Sequence, residues 1–223
     1  MKTLIFLLLL SLGITAQKPT SFYFAEAQPK QVSTILQFDT LICGEYFLKG
    51  DSLTRLVITP DSVFSRQSIF FVFTKEDIKK SKGKYYTEGE KMYGIVDGQG
   101  LFFAVNNDTT YAIYNQEDLY FKSTNDTPLR KQGGSYFLNE KEEGNYFSSL
   151  LIYPTKKGVI IYSIDHEEVL EELRKFNDLD SLQLNGFKTY VANPTLEEMN
   201  LFIQNKGFKD ATVYYKPKYF SKK

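Results

Sequence analysis

The sequence predicts an α+β fold, mainly antiparallel sheet, built from two tandem related units of about 85 residues, each with one or two helices. The chain has 19 Phe and 16 Tyr among 223 residues, and aromatic residues favour strands. Short apolar segments separated by glycine and polar turn residues recur along the chain. Several of these segments occur twice in the same order, which indicates an internal duplication.

The duplication rests on five pairs of matching segments. They are 44–48 with 134–138, 56–60 with 150–154, 69–74 with 158–163, 100–107 with 186–193, and 119–122 with 213–216. Aligned in this way, Tyr46 corresponds to Tyr136 and Ile58 to Ile152. Aromatic strands resemble one another easily in a chain this rich in Tyr and Phe, so a closed lipocalin-like β-barrel is the alternative fold.

Helix signals divide each unit into three strands, a helix, a strand, a variable piece and a last strand. In the second unit, Ser163 or Asp165 can cap one helix, and Thr195 opens another that Gly207 closes. In the first unit, a short helix is expected between Thr74 and Gly83. The expected organisation is a signal peptide at 1–16, a leader segment at 17–40, a first unit at 41–123, a linker at 124–134 and a second unit at 135–223.

The amino terminus has the three parts of a secretory signal peptide. Lys2 precedes the apolar stretch 4–14, and Ala16 is the small residue before the expected cut, so the mature chain begins at Gln17. The stretch has 11 residues, and about 20 apolar residues are needed to span a bilayer. We therefore expect an exported, soluble protein, periplasmic or extracellular, with no membrane span in the mature chain.

Charge and cysteine content limit the possible partners and the means of stabilisation. The chain has 27 basic and 27 acidic residues, and nucleic-acid binders carry a clear basic excess, so no nucleic-acid partner is expected. Its only cysteine, Cys43, cannot form a disulfide within the chain and lies too far downstream to be lipidated at the cut. Stability must therefore come from the apolar core.

No catalytic, metal-binding or cofactor-binding residue is predicted. Cys43 and His166 are the only thiol and imidazole, and nothing in the sequence pairs them as nucleophile and base. His166 has acidic neighbours, but they are consecutive in the chain and would point in different directions from a helix, so they cannot converge on one ion. Ser135 lacks the second glycine of a nucleophile elbow, and no phosphate-binding loop is present.

Carboxylates are the only plentiful reactive groups. Glu88 and Glu90 stand among tyrosines in a segment with no counterpart in the second unit. Two acids facing each other across a cleft are sufficient for glycoside hydrolysis. A carboxylate-dependent glycan hydrolase is therefore the alternative function, with this pair as the first to examine.

Aspartate precedes Ser or Thr more often than composition explains. Six of the twelve aspartates are followed by one of these residues. The pattern resembles the acceptor motif for O-linked glycans on exported proteins of Bacteroidota, and it also starts turns that lead into strands. The resemblance implies glycosylation at Thr40, Ser52, Ser62, Thr109 and Ser181.

These observations favour a binding role over catalysis. Two related units offer a concave junction and extended sheet faces, which suit recognition of a polymer or of another protein. The sequence therefore predicts a non-enzymatic binding or structural protein of the cell envelope. Its expected partner is an envelope protein or a glycan.

Overall fold

The computed structural model describes residues 21–163, 167–184, 186–205, 207–208 and 211–220. The predicted signal peptide, with Ala16 and Gln17, lies outside the described residues, as does His166. Strands predominate, helices are few, and nearly all strand pairs are antiparallel. The sheet is open and does not close into a barrel, so the prediction of a mainly antiparallel sheet is confirmed and the lipocalin-like alternative is wrong.

Strand and helix bounds follow the chain order. The strands are β1 Ser21–Phe24, β2 Thr34–Ile35, β3 Gly44–Leu48, β4 Thr54–Ile58, β5 Ser62–Thr74, β6 Tyr86–Glu88, β7 Lys91–Val96, β8 Gln99–Asn106, β9 Thr109–Lys122, β10 Leu129–Gln132, β11 Ser135–Lys141, β12 Phe147–Pro154, β13 Gly158–Tyr162, β14 Leu179–Leu184, β15 Phe187–Ala192 and β16 Ala211–Tyr215. The helices are α1 Lys75–Lys80, α2 Glu167–Arg174, α3 Leu196–Gln204 and α4 Pro217–Phe220, with a 3-10 turn at Glu143–Asn145.

The chain divides into two compact units, and each is assembled from separate stretches. The larger unit contains Ser33–Leu138, Leu151–Tyr162 and Ala211–Lys223. The smaller unit contains the described residues of 21–32, Asn139–Leu150 and Ser163–Asp210.

Antiparallel pairing continues through most of the larger unit. Its strands follow the order β12-β13-β16-β3-β4-β5-β9-β8-β7-β6, while β11, β10 and β2 pair alongside. The long strands β5 and β9 pair from Ser62↔Lys122 to Thr74↔Thr109, with one irregularity after Val63. This pairing gives the unit a long two-stranded centre, to which the β8 and β4 strands add on either side.

Two hairpin turns of the larger unit have the same hydrogen bonds. Between β4 and β5, the Thr59 amide and hydroxyl donate to the Ser62 carbonyl, and the Ser62 amide donates to the Thr59 hydroxyl. Between β12 and β13, Thr155 and Gly158 make the same three bonds. Each turn leads into a strand whose second residue, Val63 or Val159, is buried.

The helix predicted after Thr74 is confirmed as α1. The Thr74 hydroxyl accepts from the Asp77 amide, and the Asp77 carboxylate accepts from the Thr74 amide, forming a capping box. Next to it, Met92, Leu101 and Ala112 form a buried cluster, against which aromatic side chains and Ile78 of α1 pack. The apolar side of β7, β8 and β9 is therefore covered on this face.

Among its described residues, the smaller unit combines a short sheet with two helices. Its strands follow the order β14-β15-β1-β12, and β1 runs parallel to β15. The helix predicted at Thr195 is confirmed as α3, where Thr195 and Glu198 form a capping box and Met199 and Phe202 are buried. Gly207 lies against the ring of Phe202, where a Cβ would come within 2.2 Å of a ring carbon.

The segment predicted as a linker contains a strand. Its Leu129 begins β10 and is fully buried, and β10 pairs with both β2 and β11. The leader segment likewise contributes β1 and β2 to the sheet. The strand-like segment 33–38 is expected to join the sheet, and β2 lies within it. Polar composition concealed only β10, in which Leu129 is the one buried apolar side chain.

Candidate functional site

The two acids proposed as a hydrolytic pair lie on an exposed hairpin. Glu88 ends β6 and lies opposite Lys91 in the strand pairing, while Glu90 belongs to the turn between them. Both side chains are exposed. The structure therefore does not place this pair across a cleft.

Cys43 and Ser135 are the other described residues that the sequence offered for chemistry. The Cys43 thiol donates to the Asp39 carbonyl at 3.5 Å, and burial, followed by the nearby Asp39 charge, raises its pKa, which keeps it in the thiol form. Ser135 is buried in β11. Among the described residues, no group of three or more His, Cys, Asp or Glu is placed to hold a metal ion.

Four of the five aspartates in the glycan-like motif lie in or next to turns that precede strands. Asp51, for example, accepts hydrogen bonds from the Leu53 amide at 2.8 Å and the Thr54 hydroxyl at 2.7 Å. The fifth, Asp180, lies within β14. The turn-forming tendency of Asp-Ser and Asp-Thr therefore accounts for the position of most of these motifs.

The five candidate acceptor side chains differ in exposure. Thr40, Ser52 and Ser181 are exposed, and Thr109 is half-buried at the start of β9. Ser62 is only 4% exposed, and its hydroxyl donates to Asp61 at 3.0 Å. In the folded chain, the first three are therefore the most accessible to a modifying enzyme.

A pocket of about 340 Å³ lies within the larger unit. Its floor is formed by side chains that are almost completely buried, and its rim carries two lysines and one aspartate. The floor side chains are Ile42, Tyr46, Tyr136 and Val159. The rim includes Asp39, Leu41, Lys131, Thr155 and Lys216. We call this cavity the basic-rimmed pocket.

Two tight turns bring the walls of the basic-rimmed pocket together. Gly133 and Gly134, both with positive φ, form the two-residue loop between β10 and β11. Such a loop suits glycine because both positions need a left-handed backbone. Lys131 and Tyr136 thereby become direct partners on neighbouring strands. The Thr155–Gly158 turn supplies the opposite wall.

Phe38 fixes the position of Asp39 at the rim. The Phe38 ring is buried, with its centroid 5.3 Å from that of Tyr136 and 6.3 Å from that of Phe121. Its amide donates to the Pro60 carbonyl at 2.7 Å. The buried Phe38 therefore fixes the position of the next residue, Asp39, beside Lys131.

Asp39, Lys131 and Tyr136 form one polar network. The Lys131 ammonium pairs with the Asp39 carboxylate, and it lies 5.3 Å from the centroid of the Tyr136 ring. Hydrogen bonds from Lys131 and Tyr136 lower the pKa of Asp39, and the bond to Asp39 raises the pKa of Lys131. At neutral pH the pair is fully ionised, so the Lys131 charge is largely neutralised by Asp39.

Lys216 is different because none of the described acids neutralises it. Its half-buried side chain lines the pocket and forms no ion pair with the described residues. Its amide donates to the Lys157 carbonyl at 2.8 Å, so its backbone is fixed to the turn between β12 and β13. The exposed Lys156 and Lys157 of that turn add positive charge nearby.

Tyr46 contributes an uncharged side chain to the floor of the pocket. Its hydroxyl donates to the Ile42 carbonyl at 2.6 Å, and burial raises its pKa to about 12, with a smaller effect from Cys43. The floor is therefore apolar and uncharged at physiological pH, whereas the rim has a net positive charge. This combination can hold a small group with an anionic end and an apolar face.

Sequence reasoning did not find this pocket. The Gly133-Gly134 pair could have indicated that Lys131 and Tyr136 lie on paired strands. No signal in the sequence near Lys216 indicated that it would lie beside Lys131 and Tyr136.

Comparison with protein-family models, with curated proteins and with solved structures gave no match. Within the described residues, no helix has the length and apolar character needed to cross a membrane.

Proposed function

We propose that this chain is an exported, non-enzymatic binding protein of the cell envelope, and that its basic-rimmed pocket recognises a carboxylate-bearing sugar of an envelope glycan. The single observation that carries the proposal is the half-buried Lys216 at the rim of an apolar cavity, where no described acid pairs with it. A cation held in this position favours an anionic group, because the cavity wall excludes part of the competing water.

The remaining pocket chemistry suits a sugar ring. Leu41 presents apolar surface to the ring face. The Asp39 carboxylate and the remaining lone pair of the Thr155 hydroxyl can accept hydrogen bonds from ring hydroxyls. A volume of about 340 Å³ accommodates one sugar unit, near the lower end of ligand-site sizes. Neighbouring units of a polymer would continue over the exposed Lys156 and Lys157.

Binding is favoured over hydrolysis by the distribution of acids. Asp39 is the acid in the lining of this pocket, and its ion pair with Lys131 keeps it ionised rather than available as a proton donor. Glycoside hydrolysis requires a second acid on the opposite side of the scissile bond. Glu88 and Glu90, exposed on the β6–β7 hairpin, do not line this pocket.

Replacing Lys216 with glutamine is expected to weaken binding of D-glucuronic acid to the mature protein by at least tenfold. The change removes the positive charge but keeps a polar side chain of similar length. Since each 1.4 kcal/mol corresponds to a factor of ten, this loss matches one partly desolvated charge interaction. Chemical-shift titration of the mature protein measures the dissociation constant directly.

The matched control for this experiment is Lys156→Gln, which removes an exposed lysine of the adjacent turn. Its dissociation constant should stay within about twofold of the native value, because exposed charges are screened. D-glucose, which lacks the carboxylate, should bind at least tenfold more weakly than D-glucuronic acid. Equal affinity for the two sugars, or equal effects of the two lysine changes, would contradict the proposal.

Export and glycosylation are a second part of the proposed function. Protein secreted by its native host should begin at Gln17 and carry glycan on accessible motif residues, with Thr40, Ser52 and Ser181 preferred over the buried Ser62. Intact mass spectrometry of the secreted protein, followed by peptide mapping, tests both points. A mass equal to the bare polypeptide 17–223 rules out glycosylation, and an intact Met1 in the membrane fraction rules out export.

We also propose that the chain arose by duplication of one unit. The identical hydrogen bonds of the Thr59–Ser62 and Thr155–Gly158 turns support this, as does the strand pairing that follows them. Val63 pairs with Phe121, and Val159 pairs with Tyr214, and all four side chains are buried.

The turns refine the alignment of the two copies. If Thr59 corresponds to Thr155, then Ile152 is equivalent to Leu56 and not to Ile58, a shift of two residues that keeps the same face of the strand buried. In the same alignment Val159 is equivalent to Val63 and not to Phe70, a shift of seven residues, so the match of 69–74 with 158–163 is replaced. An experimental structure in which these two turns have different hydrogen bonds would reject the duplication.

A further inference from the structure

One face of the β5-β9-β8 sheet exposes an ordered set of apolar side chains. Direct pairing aligns Phe70, Ile113 and Phe102 in one row. Val72, Tyr111 and Ala104 form the next row on the same face. Phe102 is 62% exposed, Val72 57% and Phe70 47%. We call these six residues the apolar ladder.

The strand at the margin of the apolar ladder has an open edge. β8 pairs with β9 along residues 102–106, but on its other side the recorded pairing with β7 begins at Phe102↔Lys91. In the described part of the chain, no strand pairs with residues 103–106 on that side. Their unpaired backbone groups can therefore accept a further strand.

This open edge lacks the usual protection against strand addition. Natural edges are blocked by charged residues, proline or bulges. Residues 103–106 read Phe-Ala-Val-Asn, without charge or proline, and Val105 is 58% exposed on the face opposite the ladder. The hairpin edge next to it is protected, since Glu88, Glu90 and Lys91 are all charged and exposed.

We propose that β8 is a strand-addition site, at which an extended, uncharged segment of a partner protein pairs with residues 103–106. Alternate side chains of the added strand would extend the apolar ladder beside Phe102 and Ala104. Main-chain hydrogen bonds supply affinity in this mode, and the ladder supplies preference for apolar side chains. The surface is separate in residues from the basic-rimmed pocket.

The area of the ladder argues against a second copy stacked on its face as the occupant. Its exposed apolar surface is roughly 400 Å², within the range of the largest patches on monomeric proteins. Two such faces placed together would bury roughly 800 Å² in total, below the approximately 1,200 Å² of stable dimers. A strand added at the edge needs less apolar area, because its backbone hydrogen bonds contribute as well.

The test uses a fluorescein-labelled peptide with the sequence of residues 109–114, Thr-Thr-Tyr-Ala-Ile-Tyr, which already pairs with the inner edge of β8. Fluorescence anisotropy with the mature protein should show saturable binding. Val105→Lys should weaken it at least tenfold, since an edge lysine opposes strand pairing. Val105→Thr keeps the β-branched shape and should bind within about twofold of the native protein.

Two further measurements distinguish the possible occupants. A peptide with proline in place of Ala112 should not bind, because proline removes a backbone donor. Sedimentation velocity should show a monomer at the concentrations used. Equal binding to Val105→Lys and the native protein, or tight binding of the proline peptide, would overturn the proposal. A dimer that Val105→Lys dissociates would also overturn it, because a second copy would then be the occupant.

Discussion

Replacing Gly158 with alanine is expected to destabilise the protein by at least about 3 kcal/mol, because the new methyl group has no space. A Cβ at this position would lie 1.9 Å from the Tyr214 carbonyl oxygen and 2.8 Å from the Tyr215 Cα. Both are backbone atoms of β16, which pairs with β13 at Gly158↔Tyr215. The clash can be relieved only if the two strands separate.

The matched control is Gly50→Ala in the turn between β3 and β4. Gly50 has φ +86°, and a Cβ there would meet nothing within 4 Å. Gly50→Ala should therefore lower the free energy of unfolding by only about 1 kcal/mol, the cost of placing alanine in the left-handed region. Urea denaturation followed by circular dichroism gives the free energy of unfolding for both variants. Similar losses in the two would show that β13 and β16 do not approach as closely as described.

The local elements of this fold could be predicted because local chemistry determines them. The hydroxyls of Thr74 and Thr195 stand three residues before an acid, and that spacing forms a capping box wherever the chain is free to become helical. Asp97 and Gly98 form the two-residue loop between β7 and β8, as expected for this pair of residues.

The pairing of distant strands could not be predicted in the same way. β1 lies parallel to β15, about 168 positions further along the chain, and no periodicity within either strand specifies that partner. The basic-rimmed pocket could not be predicted for the same reason. Asp39, Lys131 and Lys216 line one cavity only after β2 has paired with β10 and β16 with β13. Tertiary packing, rather than local propensity, decides these contacts.

Motifs that look alike in sequence also differ in how deeply their side chains are buried. Asp51-Ser52 and Asp61-Ser62 both precede strands, but Ser52 is exposed and Ser62 is buried. The difference arises because β5 starts at Ser62 itself and pairs there with β9, whereas β4 starts two residues after Ser52. Sequence alone therefore gave five equivalent acceptors, and the fold distinguishes them.

Asn139 is expected to be the polar residue with the largest effect on the stability of the smaller unit. It is fully buried in β11, where its side chain bonds to Gln28, in the stretch that ends at Val32, and to Ser149 of β12. The side-chain oxygen of Asn139 accepts from the backbone amide of Gln28 at 2.6 Å and from the Ser149 hydroxyl. Its side-chain NH₂ group donates to the backbone carbonyl of Gln28 at 2.8 Å. Asn139 thus replaces the strand partner that the Gln28 backbone lacks.

Replacing Asn139 with leucine should lower the free energy of unfolding by about 4 kcal/mol. The change leaves the amide and carbonyl of Gln28 and the Ser149 hydroxyl without this partner in a buried site, and each such loss costs about 1–3 kcal/mol. Ser149→Ala is the matched control and should cost about 1 kcal/mol, because the Gln28 backbone keeps both bonds to Asn139. Native-state hydrogen exchange provides a local reading, since the Gln28 amide should lose most of its protection in Asn139→Leu and keep it in Ser149→Ala. A loss below about 1 kcal/mol for Asn139→Leu would mean that water or another group satisfies the Gln28 backbone, and that this asparagine does not hold the segment in place.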